Sequence, residues 1–165
     1  MSRILITGGA GFIGSHTCLV LLGMGYEIVV LDSYINSSPL CLNRVFDLCL
    51  ASGKSIPKNT FLRVKGDIRD PIVLEKLFLE SKLLGKPIQA VIHFAGLKSV
   101  SQSVDKPILY WDINVCGSLN LFSTMVKYNC KTIVFSSSAT IYGSSDEGTF
   151  SETSQIKPFN PYGQT

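Results

Sequence analysis

The segment RILITGGAGFIGSH, residues 3–16, decides the fold of this 165-residue chain. Its first half is a short apolar run rich in β-branched residues, which predicts a β-strand over residues 3–8. Its second half has apolar residues at helical spacing, which predicts a helix over residues 12–25 with Gly25 as its stop signal. Strand, glycine-rich turn and helix in this order predict the first unit of an α/β sheet.

Three glycines, Gly8, Gly11 and Gly14, occupy the predicted turn. Gly8 permits a tight turn, Gly11 lets a pyrophosphate approach the backbone, and Gly14 lets the helix pack closely on the strand. The helix N-terminus adds free N–H groups and partial positive charge. The pattern therefore predicts a dinucleotide site, and the alternative is a turn whose glycines serve packing alone.

Further apolar runs alternate with helical patterns along the rest of the chain. The predicted strands are residues 3–8, 27–32, 61–67, 89–96 and 131–138, and the predicted helices are residues 12–25, 40–51, 71–84 and 107–128. The strands are continuously apolar, as a parallel sheet buried on both faces requires. We therefore expect a doubly wound parallel α/β sheet of the Rossmann type, with its ligand site at the carboxyl ends of the strands.

Two aspartates follow predicted strands at that edge of the sheet. Asp32 ends the second strand, where a carboxylate accepts hydrogen bonds from both ribose hydroxyls and repels a 2′-phosphate. Because no arginine directly follows Asp32, the sequence favours NAD over NADP as the cofactor. Asp67 and Ile68 end the third strand, in position to bond the adenine amino group and to pack on its ring. Both aspartates also have a simpler interpretation, as cap or turn residues.

The segment HFAGLKSV, residues 93–100, follows the fourth predicted strand. Ala95 and Gly96 have little side chain, so a cofactor can lie close to their backbone. Lys98 is placed to reach a phosphate or a ribose hydroxyl. His93 lies within an apolar strand and is interpreted as a core or supporting residue, not as a catalytic base.

Three more polar residues are candidates for the site. Asn114 lies inside the long helix, where Asn is unfavourable, and the sequence leaves open whether it faces solvent or turns inward. Ser138 ends the fifth strand and is either a turn residue or a partner of a substrate hydroxyl. Tyr162 follows a turn, and its phenol is a usable base only when a cation lowers its pKa from about 10. The position for that cation is residue 166, one helical turn later.

The composition argues against several classes of protein. The 15 Lys and Arg residues form no basic run, so we expect no nucleic-acid partner. No apolar run reaches the roughly 18 residues of a membrane span, and the first strand leaves no room for a targeting segment. The five cysteines form no C-x-x-C pair, so we expect no metal site and a reduced, cytoplasmic chain.

Together these motifs resemble the extended short-chain dehydrogenase/reductase superfamily, and within it the UDP-glucose 4-epimerase family. The likeness runs from residue 3 to the last residue, and HFAGLKSVSQSVDKP is its most specific part. The segments that carry it are TGGAGFIGSH (7–16), GDI (66–68), HFAGLKSVSQSVDKP (93–107), SSSATIYG (136–143) and NPYG (160–163).

The resemblance implies a reaction and a set of site residues. Tyr162 is the acid and base, and Ser138 bonds the 4-hydroxyl of a UDP-sugar. The reaction interconverts UDP-glucose and UDP-galactose, in galactose metabolism, through a 4-keto sugar that turns over before hydride returns. The residues that the resemblance assigns to NAD are Phe12, Ile13, Asp32, Asn36, Ser37, Asp67, Ile68, Phe94, Ala95, Gly96, Lys98 and Asn114.

The resemblance also implies a domain organisation. Residues 1–165 match an incomplete NAD-binding domain, which the family follows with a small sugar-nucleotide-binding domain. We therefore expect this chain alone to be inactive, and the full-length protein to form a homodimer through helices near residues 70–84 and 107–128. The alternatives are a non-catalytic NAD-binding protein and another sugar-nucleotide epimerase or 4,6-dehydratase. The dehydratase is disfavoured because Ala139 and Thr140 stand where such enzymes carry an Asp-Glu pair.

Overall fold

The computed structural model describes residues 3–143 and 149–165. The predicted loop after the fifth strand includes residues 144–148, which lie outside the described residues. Five parallel strands form one sheet in the order β3-β2-β1-β4-β5. The predicted doubly wound parallel sheet is confirmed. The strands are β1 (Arg3–Thr7), β2 (Glu27–Asp32), β3 (Phe61–Lys65), β4 (Ile88–His93) and β5 (Thr132–Phe135).

Helices connect the strands and cover both faces of the sheet. Trp111–Cys116 is π-helical and continues directly into the helices on either side of it, and we call it the π segment. The α-helices are α1 (Phe12–Gly23), α2 (Pro39–Ala51), α3 (Pro71–Leu83), α4 (Val100–Asp105), α5 (Pro107–Tyr110), α6 (Gly117–Lys127) and α7 (Pro161–Gln164), and Ala139–Tyr142 forms a 3₁₀ turn. None of the described helices has the length and apolar character needed to cross a membrane.

Local sequence explains where helices α1 and α3 begin and end. Asp70 caps α3, since its Oδ1 accepts hydrogen bonds from the backbone N–H groups of Ile72 and Val73, and Pro71 is the first helical residue. Gly25 follows α1 with a φ of 87°, a left-handed conformation that costs glycine little. These two boundary signals were both predicted from the sequence.

Two apolar layers, one on each face of the sheet, form the core. Every residue of β1 is buried, and its side chains alternate between the layers. Leu5 packs in the layer that contains residues of α3 and α6. Ile4 and Ile6 pack in the layer that contains residues of α1 and α2. Because β1 is buried on both faces, its central residues are continuously apolar rather than alternately apolar and polar.

Four strands end earlier than predicted, and β1 does so by one residue, at Thr7 rather than at residue 8. Strand β3 ends at Lys65 rather than at residue 67, β4 at His93 rather than at residue 96, and β5 at Phe135 rather than at residue 138. In each case the next residues leave the ladder and line the cleft at the carboxyl edge of the sheet. The predicted long helix contains the π segment, and α4 was not predicted.

Candidate functional site

One cleft of about 720 Å³ lies at the carboxyl edge of the sheet. It brings together every predicted site residue except Ser37, which lies beside it and donates a hydrogen bond to Asp32. The predicted residues that line the cleft are Gly8, Gly11, Phe12, Ile13, Gly14, Asp32, Asn36, Asp67, Ile68, Phe94, Ala95, Gly96, Lys98, Asn114, Ser138 and Tyr162. Their individual roles in binding remain predictions.

The glycine turn fits a phosphate group. A Cβ atom on Gly8 would lie 2.6 Å from the backbone nitrogen of Ala95, and one on Gly14 would lie 2.4 Å from the carbonyl oxygen of Gly8. Side chains at either position would therefore push β1, β4 and α1 apart. Gly11 precedes α1 without a side-chain cap, and the first turn of α1 has no acidic residue. The positive end of this helix is thus left for an anion.

Asp32 ties the glycine turn to the loop that follows β2. It is only 6% exposed. Its Oδ2 accepts a hydrogen bond from the backbone of Ala10 at 2.9 Å, and its Oδ1 accepts from the backbone of Tyr34 at 2.9 Å and from Ser37 Oγ at 2.8 Å. The carboxylate therefore organises the turn. A bond from Asp32 to ribose stays a prediction.

Asp67 is bound by Arg69, which was not predicted as a residue of the site. Arg69 donates hydrogen bonds to both carboxylate oxygens of Asp67, at 2.7 to 3.2 Å, and Arg69 Nη1 lies 2.6 Å from Asp112 Oδ2. The hydrogen bonds from Arg69 hold the pKa of the Asp67 carboxyl below its usual range, against the opposite effect of burial. This geometry supports the turn interpretation of Asp67. The only sequence signal for the bridge was opposite charges two residues apart.

Asn114 lies in the π segment and turns inward. Its Oδ1 accepts a hydrogen bond from the backbone N–H of Leu97 at 2.8 Å, and its Nδ2 donates to the carbonyl oxygen of Leu97 at 3.0 Å. The same Nδ2 donates to Thr165 Oγ1 at 3.0 Å. Of the two interpretations that the sequence left open, the structure therefore supports the one in which Asn114 turns inward and fixes the backbone near the site.

His93 ends β4 beneath the cleft and is 2% exposed. Its Nδ1 lies 2.5 Å from Thr7 Oγ1, and its Nε2 lies 2.9 Å from Ser118 Oγ. Burial lowers the pKa of His93 to about 4. A buried imidazole with both nitrogens occupied agrees with the predicted supporting role. Its partner Ser118 was not predicted from the sequence.

The other side of the cleft carries hydroxyl groups. Ser138 Oγ accepts hydrogen bonds from the backbone N–H of Thr140 at 3.3 Å and from Thr140 Oγ1 at 3.0 Å. Tyr162 lies in the first turn of α7, which Asn160 caps by accepting a hydrogen bond from the backbone of Gly163 at 2.8 Å. Thr140 was not predicted as a partner of Ser138, although its hydroxyl lies only two residues after Ser138 in the sequence.

Two comparisons relate the sequence to known proteins. A family model described as GDP-mannose 4,6 dehydratase matches residues 5–165. UDP-glucose 4-epimerase 2 of Arabidopsis thaliana is 49% identical over 98% of this chain, and the match covers 43% of that protein. UDP-glucose 4-epimerase of Bacillus subtilis is 48% identical over 98% of this chain and 44% of its own length. The chain thus spans less than half the length of these relatives.

Solved structures share the fold. A UDP-glucose 4-epimerase of Bifidobacterium longum in complex with NAD⁺ and UDP has a TM-score of 0.85 and 44% identity, over 99% of this chain and 45% of its own. The dTDP-glucose 4,6-dehydratase DesIV of Streptomyces venezuelae, with NAD and TYD bound, has a TM-score of 0.80 and 32% identity, over 98% of this chain and 47% of its own.

Proposed function

The chain belongs to the family described as GDP-mannose 4,6 dehydratase, and within this family we propose that it is the NAD-binding part of a UDP-glucose 4-epimerase. Such an enzyme interconverts UDP-glucose and UDP-galactose, a step of galactose metabolism. The observation that carries the proposal is the single cleft that gathers the glycine turn, Asp32, Ser138 and Tyr162. The names of the relatives at 48% and 49% identity support the same activity.

The cleft residues fit NAD. The glycine turn and the N-terminus of α1 would hold the pyrophosphate, and Asp32 would accept from the adenosine ribose. Lys98, which is exposed and lines the same cleft, would reach a ribose hydroxyl or a phosphate. Bound NAD supplies a reversible hydride acceptor, which no amino-acid side chain offers.

The proposed proton chemistry belongs to Ser138 and Tyr162. Because Thr140 donates two hydrogen bonds to Ser138 Oγ, the Ser138 proton is free to bond the sugar 4-oxygen. Tyr162 would take the proton from the 4-hydroxyl as hydride leaves C4, and would return it after the keto sugar has turned over. Tyr110 supports the Tyr162 ring by an edge contact, with centroids 6.3 Å apart.

The dehydratase alternative needs a carboxylic acid next to Ser138, to assist loss of water. Positions 139 and 140 hold Ala and Thr, and the Thr140 hydroxyl is already bonded to Ser138. A threonine hydroxyl does not ionise in the useful pH range and cannot replace a carboxylic acid. The 3₁₀ turn therefore favours the epimerase over the dehydratase. The second alternative, a non-catalytic NAD-binding protein, predicts cofactor binding without turnover.

Exposed apolar side chains on three helices support a homodimer of the full-length protein. Ile72 on α3 is 77% exposed, and Ile108 on α5 and Val126 on α6 are 82% and 81% exposed. Large apolar side chains that are exposed to this degree are enriched at protein interfaces. We include this homodimer in the proposal, together with a cytoplasmic location, since all five cysteines are free thiols.

The experiment uses the full-length protein that contains these residues, with UDP-galactose as substrate. Tyr162→Phe keeps the ring and removes the proton carrier, so kcat should fall by at least about 100-fold while NAD affinity changes less than about twofold. Asp32→Ala should instead weaken NAD binding by roughly tenfold or more. Kinetic assays and equilibrium NAD titrations measure both effects.

Three outcomes would contradict the proposal in different ways. A wild-type protein that does not bind NAD would remove the cofactor assignment. NAD binding without any conversion of UDP-galactose would establish the non-catalytic alternative. Formation of a 4-keto-6-deoxy sugar would establish the dehydratase.

A further inference from the structure

The imidazole of His93 lies in a chain of hydrogen bonds that leads from β1 to the cleft. Thr7 Oγ1 lies at one ring nitrogen and Ser118 Oγ at the other. The Ser118 hydroxyl also contacts the backbone carbonyl oxygen of Asn114, and Thr7 Oγ1 lies 3.4 Å from the backbone nitrogen of Ala95. Both ends of the chain are thus backbone groups, whose donor and acceptor roles are fixed.

These fixed roles determine the direction of every bond. A carbonyl oxygen only accepts, so Ser118 must donate its proton to Asn114 and accept from His93 Nε2–H. A neutral imidazole then has an acceptor at Nδ1, to which Thr7 donates. Thr7 Oγ1 in turn accepts from the N–H of Ala95. The tautomer of His93 follows from this hydrogen-bond network, in which each of the named groups has a partner.

The far end of the chain supports the cleft. Directly after the π segment, the backbone N–H of Gly117 donates to the carbonyl oxygen of Asp112, five residues earlier. The Asn114 carbonyl accepts from the Ser118 side chain, while the Asn114 side chain holds both backbone groups of Leu97 and the hydroxyl of Thr165. Thr165 Oγ1 donates to the carbonyl oxygen of Tyr162 at 3.1 Å.

We propose that His93, as the neutral Nε2–H tautomer, is a positioning residue that acts through Ser118 and Asn114 on the Tyr162 turn and on the Leu97 backbone. The inference rests on the proposed function, because Tyr162 is the proton carrier of that reaction. His93 orients the Ser118 hydroxyl, and this hydroxyl holds the backbone carbonyl group of Asn114. The Asn114 side chain, which bonds both Leu97 and Thr165, is thereby held in place. A charged imidazolium would donate at both nitrogens and would break the bond from Thr7.

The surroundings of the ring support a permanently neutral state. The described structure places around it the hydroxyls of Thr7 and Ser118 and the rings of Phe122 and Phe135, at centroid distances of 6.4 and 5.3 Å. None of these groups ionises in the physiological range. Burial among them lowers the pKa of the ring to about 4, in keeping with the acceptor role of Nδ1.

The first test reads the tautomer directly, by long-range ¹H–¹⁵N NMR of the histidine rings in the chain. His93 should show a protonated Nε2 and a bare Nδ1, unchanged between about pH 5.5 and 8. His16, the other histidine of the sequence, is exposed on α1 and provides a reference signal. A protonated Nδ1, or titration of His93 in this range, would overturn the proposal.

The second test compares two serine substitutions on α6. Ser118→Ala removes the link between His93 and Asn114, while Ser123→Ala makes the same chemical change at an exposed position. Ser118→Ala should shift the amide signals of Leu97 and Thr165. In the full-length protein it should lower kcat roughly tenfold with little change in KM, since misplacement of reacting groups acts mainly on the chemical step.

The controls separate the possible failures. Identical spectra and kinetics for Ser118→Ala and Ser123→Ala would overturn the positioning role, even when the wild-type protein is an active epimerase. His93→Gln retains an amide donor where Nε2 lies and should keep more activity than His93→Phe; equal losses would also count against the role. A wild-type protein without epimerase activity would overturn the proposed function and the positioning role of His93 with it, while the tautomer measurement would still decide the hydrogen-bond chain.

Discussion

The two ends of strand β1 bury polar groups in opposite ways. Arg3, its first residue, is 2% exposed and lies 3.0 Å from the Glu27 carboxylate, to which Lys86 also donates. Thr7, its last residue, is fully buried and lies against the neutral imidazole of His93. Around β1, the amino edge is therefore held by full charges and the carboxyl edge by uncharged hydrogen-bonding groups, and we call these two places the charged edge and the neutral edge.

The difference follows from what each edge faces. At the amino edge the charges are matched within the protein, and Ser81 provides a further acceptor for Arg3. At the carboxyl edge, our proposal places a charged ligand in the cleft. A permanent charge beneath the cleft would add to or oppose that charge in a medium of low dielectric constant. Neutral groups give rigidity there and leave the electrostatics to the helix N-terminus and to Asp32.

The largest effect is expected from breaking the charged edge. Arg3→Met keeps an unbranched apolar stem but leaves Glu27 buried with one partner fewer. The free energy of unfolding should fall by about 3–5 kcal/mol. Arg63→Met on β3 is the matched control, because Arg63 is exposed and its loss should cost less than about 1 kcal/mol. Chemical denaturation measures both, and equal losses would show that burial of the pair is irrelevant.

The neutral edge predicts a characteristic loss of stability in acid. Because the pKa of His93 is lowered to about 4 in the folded chain, the unfolded chain binds more protons below its ordinary value of about 6.5. Stability should be fully present above about pH 6.5 and should fall by up to roughly 3 kcal/mol as the pH drops toward 4.

Glu27 acts in a separate, more acidic range. Burial alone would raise its pKa, but the hydrogen bonds from Lys86 and Arg3 outweigh burial and lower it from its usual 4.5. The stability that ionised Glu27 contributes is therefore lost only as the pH falls below the usual pKa of 4.5. Urea denaturation as a function of pH measures the curve, and His93→Gln should flatten it between about pH 6.5 and 4.5. An unchanged slope in this variant would exclude His93 as the cause.

A smaller effect is expected from a methyl group at the glycine turn. In Gly14→Ala the new Cβ would meet the carbonyl oxygen of Gly8 at 2.4 Å, so we expect a loss of about 1–3 kcal/mol and weaker NAD binding. Gly23→Ala, in the same helix, meets no atom within 4 Å and should be neutral or stabilising by up to about 1 kcal/mol. Thermal unfolding and NAD titration distinguish the two, and a tolerated Gly14→Ala would contradict the close approach of α1.

The smallest effect should come from Lys86, the outer partner of Glu27. Its side chain is 47% exposed, so water screens the pair and Lys86→Met should cost less than about 1 kcal/mol. A loss as large as that of Arg3→Met would mean that the charged edge acts as one unit rather than through its buried pair. A double-mutant cycle with Arg3→Met measures this coupling.

The sequence was sufficient for the order and type of the main elements, because continuous apolar runs and glycine or proline signals are local properties. It also located the cleft, since the carboxyl ends of parallel strands must meet at one edge. The orientation of Asn114 was not predictable, because it depends on Leu97, 17 residues earlier in the chain. The same holds for the partners of His93 and for the bridge from Arg69 to Asp112, both of which join distant segments.

The π segment has a consequence for insertions and deletions. A π-type turn accommodates one more residue than an α-helical turn, and each residue of an α-helix advances the side chains by about 100°. Removal of one residue from Trp111–Cys116 would let a regular α-helix form, yet it would turn Asn114 and Asp112 by that angle relative to α6. The deletion would improve local helix geometry and lose the contacts to Leu97 and Arg69 together. The length of this segment is therefore under tighter constraint than most of its individual side chains.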